Sequence, residues 1–474
     1  MKKEKTKYHA KLLEVIKDFK KPKWSKLISK DEAFNNVRAY FKPYKKTFKL
    51  NFSCNTSVKR KNLLDVGQYH KGIQIQFGRS IYNLERIHLD NHAPPAKFTA
   101  STSNISTKGF SEKQKYYYQL VIPLDSELEF EYNIEQTTFS TDLGFYSRCA
   151  TDATIKGELF KACCINDKKG KKFLVIDSES KQAFDAFAQK AYAIKVGIGY
   201  LSGYYIGNQG FFFAYTSKNK KDHKHFKCVG LRDSIKSSYD PVYSNAYGYL
   251  HYNKPLAKKY QPLLRPVSLT EFSNLCEKIY DLSDFASLIM LMLESSIASL
   301  LFMPGGYAIA LETISDLIIG SKKLNLAPIK SKAISRNIRK EFLRILDKYS
   351  TSISSEDLDI LYKRIDQFNQ TTNKSRLRAP FDLLGINLLP EDLKILETRN
   401  DFLHGRIPDI TNAGVNRSTE RINKDLFYSS IRFYVLINML ILKWIGYDNR
   451  VVNYPKIHEG FTEIPLDEEP FRQV

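Results

Sequence analysis

The sequence predicts an α+β chain, a β-rich N-terminal domain followed by an all-α helical bundle. Three observations carry this reading. Alternating polar and apolar segments, separated by turn clusters, recur from about Thr47 to Leu264. Past Pro262–Pro266 the apolar residues take up helical spacing. The charge changes at the same place: residues 1–270 hold 47 Lys and Arg against 24 Asp and Glu, a balance of +23, whereas residues 271–474 balance at −1. With 474 residues, 43% hydrophobic and 26% charged, the chain is long enough for roughly two to four domains and can bury real cores. That composition excludes a disordered, collagen-like or disulfide-scaffold protein.

The elements follow in order. Residues 1–45 read as a Lys-rich arm with one amphipathic helix, on which Leu12, Leu13, Ile16 and Phe19 share a face. Residues 46–264 read as the β-rich basic domain, a twisted sheet, sandwich or partly open barrel. Gly72–Phe77, Tyr116–Ile122, Leu128–Ile134 and Lys172–Asp177 have strand texture, and Ala191–Ile206 and Phe211–Thr216 flank Gly207-Asn208-Gln209-Gly210, a hairpin signal. Residues 265–474 read as the bundle with an acidic, solvated tail at Asp467-Glu468-Glu469. Leu275, Ile279, Leu282 and Phe285 follow helical spacing, as do Leu288, Met292 and Leu293. Further helices are expected at 306–321, 334–349, 355–369, 390–404 and 418–445. The fourth of these has Pro390 in its first turn, Glu391 and Asp392 at the positive end of its dipole, and Gly405 just past its end. The last carries Phe427, Ile431, Tyr434, Val435, Ile441 and Leu442 along one stripe.

Compartment and partner follow from the same composition. The N-terminal residues are basic throughout and lack the apolar core of a signal peptide. The longest uncharged part of the apolar stretch 286–311, Ser295–Leu311, is too short to span a bilayer and is broken by Pro304-Gly305-Gly306. Six scattered cysteines without C-x-x-C spacing fit free thiols in a reducing compartment. A cytoplasmic protein without a membrane segment is expected, and the net charge of +22 implies an anionic partner, either nucleic acid or an acidic membrane surface.

The helical half contains Arg399-Asn400-Asp401-Phe402-Leu403-His404-Gly405. A histidine titrates near neutrality, so it can take a proton from a ribose 2′-hydroxyl or give one to a leaving 5′-oxygen. An arginine stays charged and offers a planar fork of donors to the phosphate. Such a pair needs no metal or other cofactor, and its products are a 2′,3′-cyclic phosphate and a 5′-hydroxyl. Arg86 and His92 have similar spacing and are set aside, because they lie in the turn-like stretch 88–95 outside any bundle.

The region 270–474 resembles the HEPN superfamily, and within it the ApeA-like branch. The resemblance rests on Arg399 followed by polar Asn400, on His404-Gly405 at a helix end, on the long helix expected at 418–445, and on the upstream helical segment Ala308-Ile309-Ala310-Leu311-Glu312. It implies a metal-independent endoribonuclease of phage defence (abortive infection), with Arg399 and His404 as the catalytic pair and Asn400 in support. A structured cellular RNA such as tRNA is a candidate target. Asn400 and His404 share a helix face, but Arg399 and His404 differ in direction by about 140°. A bent helix end or a second copy would solve this, and the resemblance implies a homodimer with a composite site.

In the basic half, Tyr116-Tyr117-Tyr118, Tyr204-Tyr205 and Phe211-Phe212-Phe213, with the lysine-rich stretch 218–227, suggest a platform that holds RNA or senses a trigger. The same aromatics alternate as sheet core does. His223, His225 and Cys228 have metal-ligand types but no second pair. Gly197-x-Gly199-x3-Gly203 reads as a bulged or closely packed strand. Asp177 with Glu179 and Lys181 reads as a strand end and polar turn. Two rival readings remain: a non-catalytic RNA-binding or dimerisation scaffold, and a nucleotide-binding signalling partner.

Overall fold

The computed structural model describes residues 9–30, 34–53, 69–93, 97–411, 414 and 417–474; Cys54 lies outside them, as does the side chain of His92. The chain is mixed α+β and forms two compact units, Met1–Ile297 and Ala298–Val474.

The first unit opens with α1 (Ala10–Phe19). Then come β1 (Lys23–Ile28), β2 (Arg38–Tyr44), β3 (Thr47–Ser53), β4 (Tyr69–His70), β5 (Ile73–Phe77), β6 (Ser80–Leu84), β7 (Ile87–Ala93), β8 (Lys97–Thr102) and β9 (Asn104–Thr107). Next are β10 (Tyr117–Pro123), β11 (Phe139–Thr141), β12 (Gly144–Tyr146), β13 (Ala150–Ile155), β14 (Glu158–Asn166) and β15 (Lys172–Ser178), which precede α2 (Phe184–Ser202). After β16 (Tyr204–Tyr205), β17 (Gln209–Tyr215), β18 (His225–Gly230) and β19 (Ile235–Lys236), the unit closes with α3 (Ala246–Tyr249), α4 (Lys254–Tyr260), α5 (Leu269–Asp281) and α6 (Ser283–Ser295). Fifteen strands form one antiparallel sheet in the order β13-β14-β15-β10-β17-β18-β9-β6-β5-β1-β2-β3-β8-β7-β4.

Strand alternation places one set of side chains on α1, whose Leu12, Leu13, Ile16 and Phe19 are buried in the same cluster as Leu27, Phe41, Phe48, Ile75, Val121 and Phe213. Phe19 meets Phe48 and Phe226 edge to face at 5.2 and 5.1 Å. The described residues 9–30 and 34–44 are therefore no detached arm: the helix face expected from the sequence is core, and β1 and β2 belong to the sheet. The opposite set of side chains meets α2, where Phe187 stacks on Tyr118 at 5.1 Å and Phe184 meets Phe212 at 5.0 Å. Strands covered on both faces read as continuous apolar runs, which explains the sequence of β10 and β17.

The strand expected at 191–206 is wrong over most of its length, because α2 runs through Ser202. From Ala193 to Leu201 the helix is buried all round, so this part carries no 3.6-residue polar face to betray it. Its glycines serve close packing: a Cβ on Gly199 would fall 2.9 Å from the Tyr205 Cα, and one on Gly197 would fall 3.2 Å from Cys276 Sγ. Gly203 ends the helix in the left-handed region. β16 pairs with β19 rather than β17, so Gly207–Gly210 does not close the expected hairpin. The stretch around His88 is β7, not a turn.

α5 and α6 belong to the first unit. α5 packs on α2 and β13, and α6 packs on α5, α2 and β19. The change of texture near residue 265 marks a change of secondary structure, while the compact unit extends to Ile297.

The second unit contains α7 (Met303–Ser321), α8 (Lys332–Lys348), α9 (Ser355–Gln367), α10 (Asn373–Leu384), α11 (Pro390–Leu403) and α12 (Thr419–Ile445), then β20 (Arg450–Val452), α13 (Tyr454–Ile457), α14 (Glu459–Thr462) and β21 (Phe471–Gln473). α7, α10, α11 and α12 pack against one another, whereas α8 and α9 pair with each other. α10 has no counterpart among the expected helices, because Pro380 inside it reads as a helix breaker. α12 is the one described helix long and apolar enough to cross a bilayer, and its apolar part is buried in the core of the unit on nearly every side.

Candidate active site

α11 positions the predicted residues, and it is fastened at both ends. At its start Pro390 occupies the first turn and the Asp392 side chain accepts the Leu389 N–H at 2.8 Å. Asp392 is fully buried. It accepts Arg432 Nε of α12 at 2.7 Å and Arg472 Nη2 of β21 at 2.6 Å. Burial would push its carboxyl pKa up, but the two guanidinium groups outweigh this and hold it below the ordinary value. Arg432 also binds Glu468 at 2.6 Å, so Glu468 is a buried partner and the acidic tail is not solvated as a whole.

At its end α11 closes in a Schellman motif. The Arg406 N–H donates to the Asp401 carbonyl at 2.7 Å, and Gly405, at φ +70°, donates to the Phe402 carbonyl at 3.2 Å. His404 is the cap residue (φ −97°, ψ 12°) and is exposed. The chain beyond it is latched by Arg417, which donates to the carbonyls of Pro408 and Ile407 at 2.8 and 2.9 Å and to the buried Asp425 carboxylate at 2.9 Å.

Arg399 faces inward. Its side chain is buried, forms an ion pair with Glu312 of α7 and donates to the side-chain oxygen of Asn400, while its Nε has no hydrogen-bond partner. Burial lowers its pKa, yet a guanidinium stays charged, so Glu312 supplies the counter-charge. Arg399 and Asn400 line a cleft of about 200 Å³ between α10 and α11, together with Lys374, Arg378 and Glu397. His404 is not among the residues lining it. One chain thus brings Arg399 and Asn400 together in a cleft whose lining does not include His404. The sequence alone does not assign Glu312, Lys374, Arg378, Arg417 or Asp425 to this site. Glu312 does fall in the 308–312 segment that carries part of the HEPN resemblance; the others become visible only once α10 and α12 are placed.

The aromatic clusters of the first unit are core. Tyr116, Tyr118, Tyr204, Tyr205 and Phe211–Phe213 are all buried and offer no stacking surface, and only Tyr117 is partly exposed, with Lys181 Nζ 5.6 Å from its ring centroid. The lysine-rich stretch is largely neutralised: Lys220 pairs with Asp177 in the interior, Lys227 with Glu85 and Glu112 at 2.5 and 2.6 Å, and Lys218 with Glu179 at 3.3 Å. His225 packs edge to face with Tyr116 at 5.5 Å, whereas Cys228 lies in the α1 cluster; strand alternation sends them to opposite faces. Among the described residues no two cysteines form a disulfide.

No protein-family model, curated protein or solved structure matches the chain.

Proposed function

We propose that the second unit is a HEPN-like, metal-independent endoribonuclease of the anti-phage type, in which Arg399 holds the scissile phosphate, His404 moves the proton and Asn400 orients Arg399. The observation that carries this reading is the last turn of α11. It ends on an exposed histidine whose backbone is held by a left-handed glycine, and it follows a buried, charge-balanced arginine tied to its polar neighbour. An immobilised guanidinium is suited to charge that develops on a phosphate, because it needs little reorganisation. In this reading an incoming phosphate competes with Glu312 for the Arg399 fork.

The separation of the Arg399 cleft from His404 favours the composite arrangement, in which a second copy supplies the facing motif. Large apolar side chains near the start of α7 are consistent with a partner there: Phe302 is 71% exposed and Ile309, one turn before Glu312, is 47% exposed. A cytoplasmic location fits a chain whose apolar helix is a core helix.

The test uses the full chain, bulk tRNA plus mRNA, and EDTA throughout. The wild type should leave 2′,3′-cyclic phosphate ends, assigned by mass spectrometry, and Arg399→Ala and His404→Ala should leave none. Equal cleavage by all three would show that other residues act. Light scattering should report a dimer; full activity from a monomer would refute the composite site.

A further inference from the structure

We propose that the open face of β1, β2, β3 and β8 is a stacking platform for single-stranded RNA. On this face the strand register builds a ladder across four strands: Trp24 opposite Tyr40, Tyr40 opposite Asn51, and Asn51 opposite Thr99. Two residues further along, one flank carries Lys26 opposite Arg38, and Ser53 opposite Lys97. The other flank carries Lys42 opposite Lys49, and Lys49 opposite Ser101. Same-face residues two apart on a strand are separated by roughly 7 Å. A central aromatic and amide row therefore runs between two rows of cations.

The surface is accessible and open. Trp24 is 57% exposed, its ring lies 5.2 Å from that of Tyr40, and the Arg38 guanidinium sits 4.4 Å from the Trp24 ring centroid. Trp24, Arg38, Tyr40, Asn51, Lys97 and Thr99 line a cleft of about 800 Å³ over the sheet. Among the described residues no acidic side chain pairs with Lys26, Arg38, Lys42, Lys49 or Lys97. The acid on the neighbouring strand β7, Asp90, is engaged by Ser101 Oγ at 2.8 Å and His88 Nδ1 at 2.9 Å. The lysines of the 218–227 stretch contrast with these, since several are bound to carboxylates.

Five cations without a carboxylate partner among the described residues attract an anion, and the chemistry between them selects the kind. The exposed indole of Trp24 and guanidinium of Arg38, with the half-buried Tyr40 ring beside them, stack on unpaired bases, while flanking lysines meet the backbone phosphates. Asn51, Thr99 and Ser53 supply hydrogen-bonding groups for base edges or sugar hydroxyls. A duplex buries its base faces and could use only the charge. The choice of RNA over DNA rests on the ribonuclease reading; the choice of a single strand rests on the face itself.

Binding is measured by fluorescence anisotropy with a labelled 12-nucleotide RNA, on full-length protein carrying His404→Ala, in EDTA, so that cleavage plays no part. Trp24→Ala should weaken binding about tenfold or more, while Trp24→Phe should stay within about threefold of the parent. Arg38→Glu with Lys97→Glu should weaken it further and flatten the salt dependence by about one unit of slope per cation removed. The exposed control Lys258→Glu should leave affinity unchanged, and melting temperatures of all variants should match the parent. A duplex bound as tightly as the single strand, or Trp24→Ala bound as tightly as the parent, would overturn the platform. Tighter binding of the matching DNA would overturn the assignment to RNA. RNA binding at this face together with no RNA cleavage by the wild-type chain would overturn the ribonuclease reading alone.

Discussion

Arg399 and His404 sit five residues apart and meet opposite environments, which makes their substitutions separable. His404 is exposed, so His404→Ala should leave the melting temperature within the range of a surface change, about 0.5 kcal/mol, while removing cleavage. Arg399→Ala leaves Glu312 without its cation and should cost stability as well as activity; Arg399→Lys, which keeps the charge but not the planar fork, should restore stability more than cleavage. Calorimetry beside the cleavage assay checks both. Asp392 is the residue on which the placement of α11 depends. Asp392→Asn leaves Arg432 and Arg472 buried without their shared carboxylate, and the expected loss is about 3–5 kcal/mol by denaturant unfolding. Because its folded pKa is depressed, the contribution of Asp392 is present above the ordinary carboxylate value and is lost as pH falls through the lowered pKa.

Among the elements, α2 shows how burial hides a helix. Its Lys195 is buried, donates to Tyr205 Oη at 2.8 Å, and has its pKa brought down to about 7 by desolvation. The unfolded chain holds that proton up to about 10.5, so between pH 7 and 10.5 the unfolded state binds more protons than the folded one. The penalty of burying Lys195 is complete below pH 7 and vanishes toward 10.5. The stability of Lys195→Met relative to the wild type should therefore be greatest at pH 7 and fall steadily to pH 10, as melting curves across that range would show. A flat difference would mean that Lys195 stays charged in the fold. α11 is the contrasting case: Pro390, Glu391, Asp392 and Gly405 mark its limits in the sequence, and the structure places it at Pro390–Leu403.

Across the full chain, the first unit extends past the change of texture. A fragment of residues 1–270 would keep the +23 charge but remove nearly all of α5 and α6, exposing the α2 surface that holds Gly197 against Phe272 and Cys276. Residues 1–297 should be soluble and melt cooperatively, while residues 1–270 should aggregate or melt without cooperativity; circular dichroism and size-exclusion chromatography decide. RNA affinity of the first unit is therefore best measured on the longer fragment once it passes that test.

The α+β class, the order of a β-rich and a helical part, the buried face of α1 and the ends of α11 can all be read from the sequence. Local rules govern these: strand and helix periodicity, proline and glycine at helix ends, and the sum of charge. Three features emerge from the folded chain alone. α2 is a helix, Trp24 is exposed while most of the longer aromatic clusters are core, and Glu312 partners Arg399. In each case the deciding contact joins residues far apart in the chain. A segment buried on every side has no polar face, and an aromatic or acidic residue reads the same in the sequence whether the fold turns it to water or to the core.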